Sequence, residues 1–481
     1  MNISVLLPEL TLFCGGLLIL LLDVFFAKKN HNFFFITHLF SLLICAIALA
    51  STFNNFANND IYFNKLYRNT PIISLSKSLL ILILTVVVLM SLRFVASLTR
   101  FSAEFLALLL IATSGGLVMI SSNDFLTFYL GLELQALSFY LLCAINTSSP
   151  KSSEAGLKYF ILGCLASGIL LFGISMIYGN TGTTNFSVIS EFVENQKKDI
   201  PVAFLLGIIM FMIAMFFKLS NAPFHMWSPD VYEGSPTIVA TLLATVGKFS
   251  AVVALTILIY NLSWPVLTQI LAVVGLLSII VGSFGAIFQK NLKRLLAFSS
   301  ISHVGFIVLG LAGLNKNVVA SVFFYIFIYS LLSLGLFGFL NLITSSNNLE
   351  GDNEDKKIFA ISSLSGLSKT NPFLALCFSI LIFSTAGIPP LAGFFSKFYI
   401  ISSMISSSLL IFAIIAVIFT VISAFYYLRI IKVIYFDEPK NIIEIDDSLA
   451  TKSIIFIITI LNVIMLIFID QILSLINGFM L

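Results

Sequence analysis

Long apolar runs separated by short polar breaks recur along the whole chain, and they restrict the fold more than any other feature. A helix needs about 20 apolar residues to cross the hydrocarbon core of a bilayer. The runs predict helices near residues 4–27, 33–53, 72–95, 103–121, 123–146, 156–179, 201–232, 236–260, 265–288, 294–313, 317–343, 372–404, 406–434 and 452–477. The sequence therefore predicts an all-α integral membrane protein of about 14 transmembrane helices.

The composition supports this class and excludes several others. Hydrophobic residues make up 59% of the 481 residues and charged residues only 10%, whereas soluble domains usually carry about 25% charged residues. A net charge of +3 without a block of basic residues argues against a nucleic-acid partner. The five cysteines form no C-x-x-C pair, and no phosphate-binding or dinucleotide motif occurs. We therefore expect no cofactor and no metal ion in this chain.

Two of the predicted helices contain a break. Helix 7 reads FFKLSNAPFHMWSPDVYEGSP, with Pro223 in its middle, and helix 12 reads FSTAGIPPLAGFFSKF, with Pro389 and Pro390. Proline removes a helix hydrogen bond and clashes with the preceding turn, so both helices should be interrupted inside the membrane. Because the breaks lie five helices apart, we predict two inverted five-helix repeats, helices 4–8 and helices 9–13. Two unrelated proline kinks are the alternative.

This plan divides the chain into four parts. They are three N-terminal helices in 1–100, the first repeat in 101–262, the second repeat in 263–435, and helix 14 in 436–481. Most lysines and arginines fall in the loops on one side, which the positive-inside rule assigns to the cytoplasm. Lys77, near the start of helix 3, is assigned to the opposite side. We expect a multi-pass protein of the cell's inner (plasma) membrane, with both termini on the outer, periplasmic side.

Four ionisable residues fall deep inside predicted helices: Glu133 in helix 5, Lys218 before the break of helix 7, Lys248 in helix 8, and Lys397 after the break of helix 12. A charge at the bilayer centre costs about 2.5–3.5 kcal/mol on insertion scales, so each requires a partner, a water-filled cavity or a function. Glu133 and Lys218 are candidate partners whose affinity for protons would change with their separation. A static pair that only fixes packing is the alternative. Lys397 could instead be an interfacial anchor.

Two histidines and three charges at helix ends form a second group. His225 follows Pro223 and His303 lies in the middle of helix 10. Imidazole titrates near neutrality, so each could bridge lysines through water, or could be only a packed hydrogen-bonding residue. Lys158, Asp230 and Glu233 are interpreted first as interfacial charges. The acidic pair could also gather protons.

Five segments resemble the antiporter-like membrane subunits of the respiratory NADH:quinone oxidoreductase (complex I). They are SNDFLTFYLGLELQALSFYLL, EAGLKYFILGCLASGILLFG, KLSNAPFHMWSPDVYEGSP, QKNLKRLLAFSSISHVGF and GIPPLAGFFSKF, and the resemblance covers about residues 100–435. Within the family, one type of subunit is most similar. It shares the PDVYEGSP phrase, has a lysine rather than a glutamate at the position of Lys397, and lacks a long lateral helix after helix 14.

The resemblance implies a function, partners and a set of site residues. Protons would pass through a relay of Glu133, Lys218, Lys248 and Lys397, with secondary roles for His225, His303 and Lys158. The relay would be coupled to quinone reduction in other subunits, which hold the NADH, flavin, iron–sulfur and quinone sites. Expected partners are other membrane subunits, including a second antiporter-like subunit and small membrane subunits. A subunit of a multisubunit sodium/proton antiporter is the alternative function, and a structural scaffold is a third.

Overall fold

The computed structural model describes residues 3–26, 33–56, 59–98, 101–195, 200–262, 265–313, 316–345, 358–439 and 443–479. Nearly all of this is helical. In chain order the helices are α1 Leu7–Phe26, α2 Phe33–Asn54, α3 Pro71–Ser97, α4 Ser102–Ser121, α5 Phe125–Cys143, α6 Pro150–Thr181, α7 Phe186–Asn195, α8 Val202–Leu219, α9 Trp227–Gly234, α10 Thr237–Leu242, α11 Lys248–Leu262, α12 Pro265–Ile287, α13 Leu292–Leu311, α14 Lys316–Leu342, α15 Leu367–Thr370, α16 Pro372–Ala386, α17 Ala392–Ser406, α18 Leu410–Phe436 and α19 Leu449–Phe479.

Short elements complete the described chain. Two 3₁₀ turns cover Ile3–Leu6 and Ile361–Leu364, and a π-helical turn, Leu243–Gly247, separates α10 from α11. Two antiparallel strand pairs are present: β1 Asp60–Tyr62 with β2 Tyr67–Asn69, and β3 Ile343–Ser345 with β4 Ile443–Ile445, which is distant in sequence. Asp60 is paired with Asn69 in the first, and Ile343 with Ile445 in the second.

The chain forms two compact units. One contains Met1–Leu219, Val246–Pro265 and Ile476–Leu481, and the other contains Ser220–Thr245 and Val266–Leu475. The first therefore includes α1 to α8 and α11, and the second includes α9, α10 and most of the chain from α12 onward. The predicted inverted repeats and the four-part division of the chain stay predictions.

Thirteen described helices are long and apolar enough to cross a membrane, and they correspond to thirteen of the predicted spans. The remaining predicted span, 372–404, consists of α16 and α17, which have 15 residues each. A helix of that length is too short to cross the hydrocarbon core, so this span requires both halves. The predicted all-α membrane fold is confirmed.

Both predicted breaks are present. Predicted helix 7 consists of α8, which ends at Leu219, and α9, which begins at Trp227. Predicted helix 12 consists of α16, which ends at Ala386, and α17, which begins at Ala392. A left-handed residue follows each first half, Ser220 with φ 61° and Gly387 with φ 87°. Such a residue ends a helix because the chain can no longer continue the right-handed turn.

A serine hydroxyl accepts a backbone N–H group inside each break. Ser278 of α12 accepts from the N–H of Ala222 at 2.9 Å, and Ser384 of α16 accepts from the N–H of Gly393 at 3.0 Å. In the membrane an unsatisfied backbone group is costly, so these bonds make the interrupted segments tolerable.

Two details depart from the sequence prediction. Helix α7 was not predicted because its ten residues include polar ones, but Phe186, Ile189 and Val193 are buried at helical spacing. Helix 6 starts at Pro150 rather than near residue 156, since proline fits the first turn of a helix, where its missing N–H costs nothing. Neither detail changes the number of spans.

Glycine contacts fix α5 closely against α4. A Cβ at Gly115 would lie 2.7 Å from the backbone nitrogen of Gln135, and a Cβ at Gly131 would lie 2.7 Å from that of Met119. Small residues at such crossings let helix backbones approach where no hydrophobic effect drives association. The position of α5, which carries Glu133, is therefore set by backbone contact.

Candidate functional site

Lys218 lies in the last turn of α8, directly before the first break. Its side chain is buried, and among the described residues its Nζ has no hydrogen-bond partner. It faces the ring of Phe139 in α5, whose centroid is 5.3 Å from Nζ. Burying an ammonium group without a hydrogen bond costs free energy.

Glu133 is half-buried in the middle of α5. Its Oε1 accepts a hydrogen bond from the hydroxyl of Ser167 in α6. Glu133 interacts electrostatically with Lys218, but within the described chain the two do not form an ion pair at 4.0 Å or less. The two predicted partners therefore interact electrostatically without direct contact between their charged groups.

Lys248 is the first residue after the π-helical turn and is almost fully buried. A π turn is rare and often marks a functional site. Gly247 packs against Phe139, since a Cβ there would lie 2.9 Å from Cε2 of the ring. Phe139 thus contacts the segment of Lys248 and also faces Lys218. Three of the four predicted relay residues belong to the same unit.

Two residues beside these relay positions were not foreseen. Gln135, two residues after Glu133, donates through Nε2 to the hydroxyl of Ser250 at 3.0 Å. Ser250 stands two residues after Lys248, and both Gln135 and Ser250 are fully buried. A buried polar bridge therefore connects α5 and α11 next to the candidate relay. Their sequence positions gave no signal, because a lone glutamine or serine in an apolar run is ordinary.

Lys397, in the second turn of α17, belongs to the other unit. Its Nζ donates to the carbonyl oxygens of Thr385 at 3.0 Å and Ala386 at 2.9 Å. These carbonyls lie at the C-terminal end of α16, where a helix leaves acceptors unpaired and carries partial negative charge. The side chain is buried and turned toward the break, which does not fit an interfacial anchor.

His303 is the centre of a buried polar cluster in the same unit. Its Nδ1 is 2.8 Å from the hydroxyl of Tyr325, and its Nε2 is 3.3 Å from that of Tyr427. Tyr427 is also hydrogen-bonded to the side chains of Ser299 and Thr385. Because the carbonyl of Thr385 accepts from Lys397, this cluster leads from His303 to Lys397. The tyrosines were missed, since a tyrosine in an apolar run gives no sign in the sequence of which neighbour its hydroxyl meets.

The remaining candidates are His225, Lys158, Asp230 and Glu233. His225 is in the first break, and its Nδ1 is buried without a hydrogen-bond partner among the described residues. Lys158 is 44% exposed on α6 and forms an ion pair with Glu154 at 2.7 Å. Asp230 and Glu233 both pair with Arg294, at 2.6 and 3.0 Å.

A second buried pair of opposite charges was missed by the sequence analysis. Lys77 was assigned to the outer side, but its side chain is buried in α3 and its Nζ lies 2.6 Å from Oε1 of Glu9 in α1. The hydroxyl of Tyr67 donates to the same Glu9 oxygen at 2.8 Å and accepts a hydrogen bond from Lys77. A lysine six residues into a helix and a glutamate far away in sequence give no sign that they meet.

No group of three or more His, Cys, Asp or Glu side chains in the described ranges is placed to hold a metal ion. The buried Glu, Lys and His side chains can bind and pass on protons, with hydroxyl groups between some of them.

Comparison with known proteins identifies the family. The model of the NADH:quinone oxidoreductase/Mrp antiporter transmembrane family matches residues 122–423. NADH-quinone oxidoreductase subunit N of Pelagibacter ubique is 40% identical over 99% of this chain and 98% of its own length.

Solved structures show the same fold. A chain of respiratory complex I from Thermus thermophilus, determined with bound aureothin, superimposes with a TM-score of 0.81 at 26% identity, covering 97% of this chain and 98% of that one. A chain of the Mrp complex from Dietzia gives a TM-score of 0.84 at 19% identity, covering 100% and 97%. The chain therefore belongs to the family of antiporter-like membrane subunits of NADH:quinone oxidoreductase and Mrp antiporters, in the group of subunit N.

Proposed function

We propose that this chain moves protons through a buried relay of Glu133, Lys218, Lys248 and Lys397, coupled to quinone reduction in other subunits of NADH:quinone oxidoreductase. One observation carries the proposal. The ammonium of Lys218 is buried without a hydrogen-bond partner, near a carboxylate that interacts with it but is bonded to another residue. A pair in that arrangement can close or open, and its affinity for a proton changes with the separation.

Each relay residue has a place where a proton can be held or passed on. Lys248 follows a π turn, and Lys397 is held by two helix-end carbonyls. His303 and Tyr427 connect to the segment of Lys397 through hydroxyl groups. His225 has an unsatisfied ring nitrogen in the break. We assign His225 and His303 secondary roles, and Lys158 a role at the surface of α6.

Membrane vesicles provide the test. We would measure NADH oxidation and proton uptake in inverted vesicles for wild type and for Lys218→Ala, Lys248→Ala and Lys397→Ala. Proton transfer through this chain should slow about tenfold or more in each variant, since a positioned proton-transfer group contributes at least that factor. Uptake per NADH oxidised should therefore lose the share that this chain carries. Lys452→Ala, which removes a lysine paired with Asp447 at a helix end, should behave as wild type.

Normal uptake in all three variants, with the complex assembled, would reject the relay. The alternative of a sodium/proton antiporter subunit has a different signature. Uptake would then depend on sodium and would not require NADH oxidation, and the chain would purify without NADH-oxidising subunits.

A further inference from the structure

The carboxylate of Glu133 has two possible partners on different helices. Its observed partner is the hydroxyl of Ser167 in α6. The other is the ammonium of Lys218 in α8, which interacts with it electrostatically but is bonded to no described side chain or carbonyl. The structure therefore shows Glu133 held on the side of α6 and away from α8.

The α6 helix is fixed against α5 at two points on one face. A Cβ at Gly156 would lie 2.6 Å from Cβ of Ala144, and Gly163 is packed directly under the hydroxyl of Tyr140. Ser167 follows Gly163 by four residues, so it lies on the same face, one turn further along. Its hydroxyl therefore reaches α5 from a backbone position that cannot shift easily.

The same helix is also fixed against α8. A Cβ at Gly173 would lie 2.7 Å from the carbonyl oxygen of Gly207, and a Cβ at Gly207 would lie 2.8 Å from that of Gly173. These contacts place α6 against both of the helices that carry Glu133 and Lys218. Since all three backbones are tightly packed, the change between paired and separated states is expected from movement of the Glu133 and Lys218 side chains.

We propose that Ser167 is a positioning residue that holds Glu133 in the separated state. The hydroxyl supplies the hydrogen bond that the carboxylate loses when it leaves Lys218, so the two states differ by an exchange of one partner for another. This inference rests on the proposed function, because it assigns a residue to the open position of the Glu133/Lys218 switch. It makes α6 part of the switch, although α6 supplies no charge to it.

Carbodiimide labelling reports the position of the Glu133 side chain directly. A hydrophobic carbodiimide modifies a protonated carboxyl group that it can reach, and Glu133 is half-buried beside α6 rather than enclosed. We would label the assembled complex in membranes with dicyclohexylcarbodiimide and follow the mass of the peptide that contains Glu133.

Ser167→Ala should slow the labelling of Glu133 severalfold, since losing a hydrogen bond to a charged group shifts the ratio of separated to paired states by about tenfold or more. Ser167→Thr retains the hydroxyl and should stay within about twofold of wild type. Ser138→Ala is the matched control, because its hydroxyl bonds only to the carbonyl of Leu134 in its own helix, and it should label as wild type.

The double variant Ser167→Ala/Lys218→Ala tests whether slow labelling in Ser167→Ala is caused by pairing of Glu133 with Lys218. With no ammonium to pair with, Glu133 should label again at the wild-type rate. Equal labelling of wild type and Ser167→Ala, at any level, would overturn the inference, as would a slow rate that the second substitution does not restore.

If labelling is equal while Lys218→Ala still abolishes proton uptake, the relay stands and only the role of Ser167 is rejected. If labelling changes as expected while uptake is normal in Lys218→Ala, the relay itself is rejected.

Discussion

Two buried pairs of a glutamate and a lysine occur in the same unit, and they are in opposite states. Glu9 and Lys77 form a direct ion pair at 2.6 Å, with the hydroxyl of Tyr67 bonded to both. Glu133 and Lys218 form no such pair in the described structure, and the carboxylate is bonded to Ser167 instead. The first pair resembles a fixed packing element and the second an element that can move.

Under the proposed function, the first pair serves stability and the second serves proton transfer. A buried ion pair is tolerated when its geometry is good and further hydrogen bonds support it, as the hydroxyl of Tyr67 does for Lys77 and for Oε1 of Glu9. An ammonium without a partner has no such compensation, so Lys218 weakens the fold where it lies. Stability should therefore depend on the first pair, and proton transfer on the second.

The largest effect is expected from Lys77→Met. It leaves the carboxylate of Glu9 buried without its counter-charge, and breaking one side of a buried pair costs about 3–5 kcal/mol. Thermal unfolding of the purified complex, followed by the amount of this chain still assembled, would measure the loss. Proton uptake per NADH oxidised should be unchanged in the complex that does assemble.

The double variant Glu9→Gln/Lys77→Met is the control for this prediction. It removes both charges, and replacing a whole buried pair is often close to neutral. Stability should therefore recover most of the way to wild type. A double variant as unstable as Lys77→Met would show that the charges are not what holds these helices.

A smaller loss is expected from Tyr67→Phe. The ring still packs, but the hydroxyl that donates to Glu9 and accepts from Lys77 is gone. Hydrogen bonds to charged groups contribute about 1.5–3 kcal/mol, so unfolding should become easier by about that amount. The same thermal assay applies, with Tyr62→Phe as the matched control because the hydroxyl of Tyr62 bonds only to exposed Asp60. Equal stability of the two variants would contradict a bridging role for Tyr67.

No loss of stability is expected from Lys218→Met. In the described structure no hydrogen bond or ion pair is lost and a buried ammonium without such a bond is removed, so the free energy of unfolding should stay the same or rise. The share of proton uptake that this chain carries should nevertheless be lost, as for Lys218→Ala. A loss of stability as large as that of Lys77→Met would mean that both pairs stabilise the fold, which would contradict the difference proposed between them.

The sequence predicted the parts of this structure that depend on local composition. Apolar runs identified the spans, and prolines located both breaks, because each effect acts within one helix. Lys218, Lys248 and Lys397 stood out since a charge in an apolar run is rare.

Contacts between helices could not be predicted in the same way. Glu9 and Lys77 meet only because α1 and α3 are folded together. Ser167 cannot be distinguished from the other serines in the sequence, because its contact with Glu133 depends on how α6 packs on α5. Helices buried on several faces carry little periodicity, so the sequence does not say which side chain faces which neighbour. The π turn before Lys248 left no trace in residue type either.

Lys397 is hydrogen-bonded to the end of α16, so the rigidity of the second break depends on the charge of this lysine. Its ammonium holds the carbonyls of Thr385 and Ala386 across the second break. A hydrogen bond from a charged donor is roughly twice as strong as one from a neutral donor. In the proposed relay, release of a proton by Lys397 would weaken these two hydrogen bonds, so each proton passed on would briefly loosen the contact between the two half-helices.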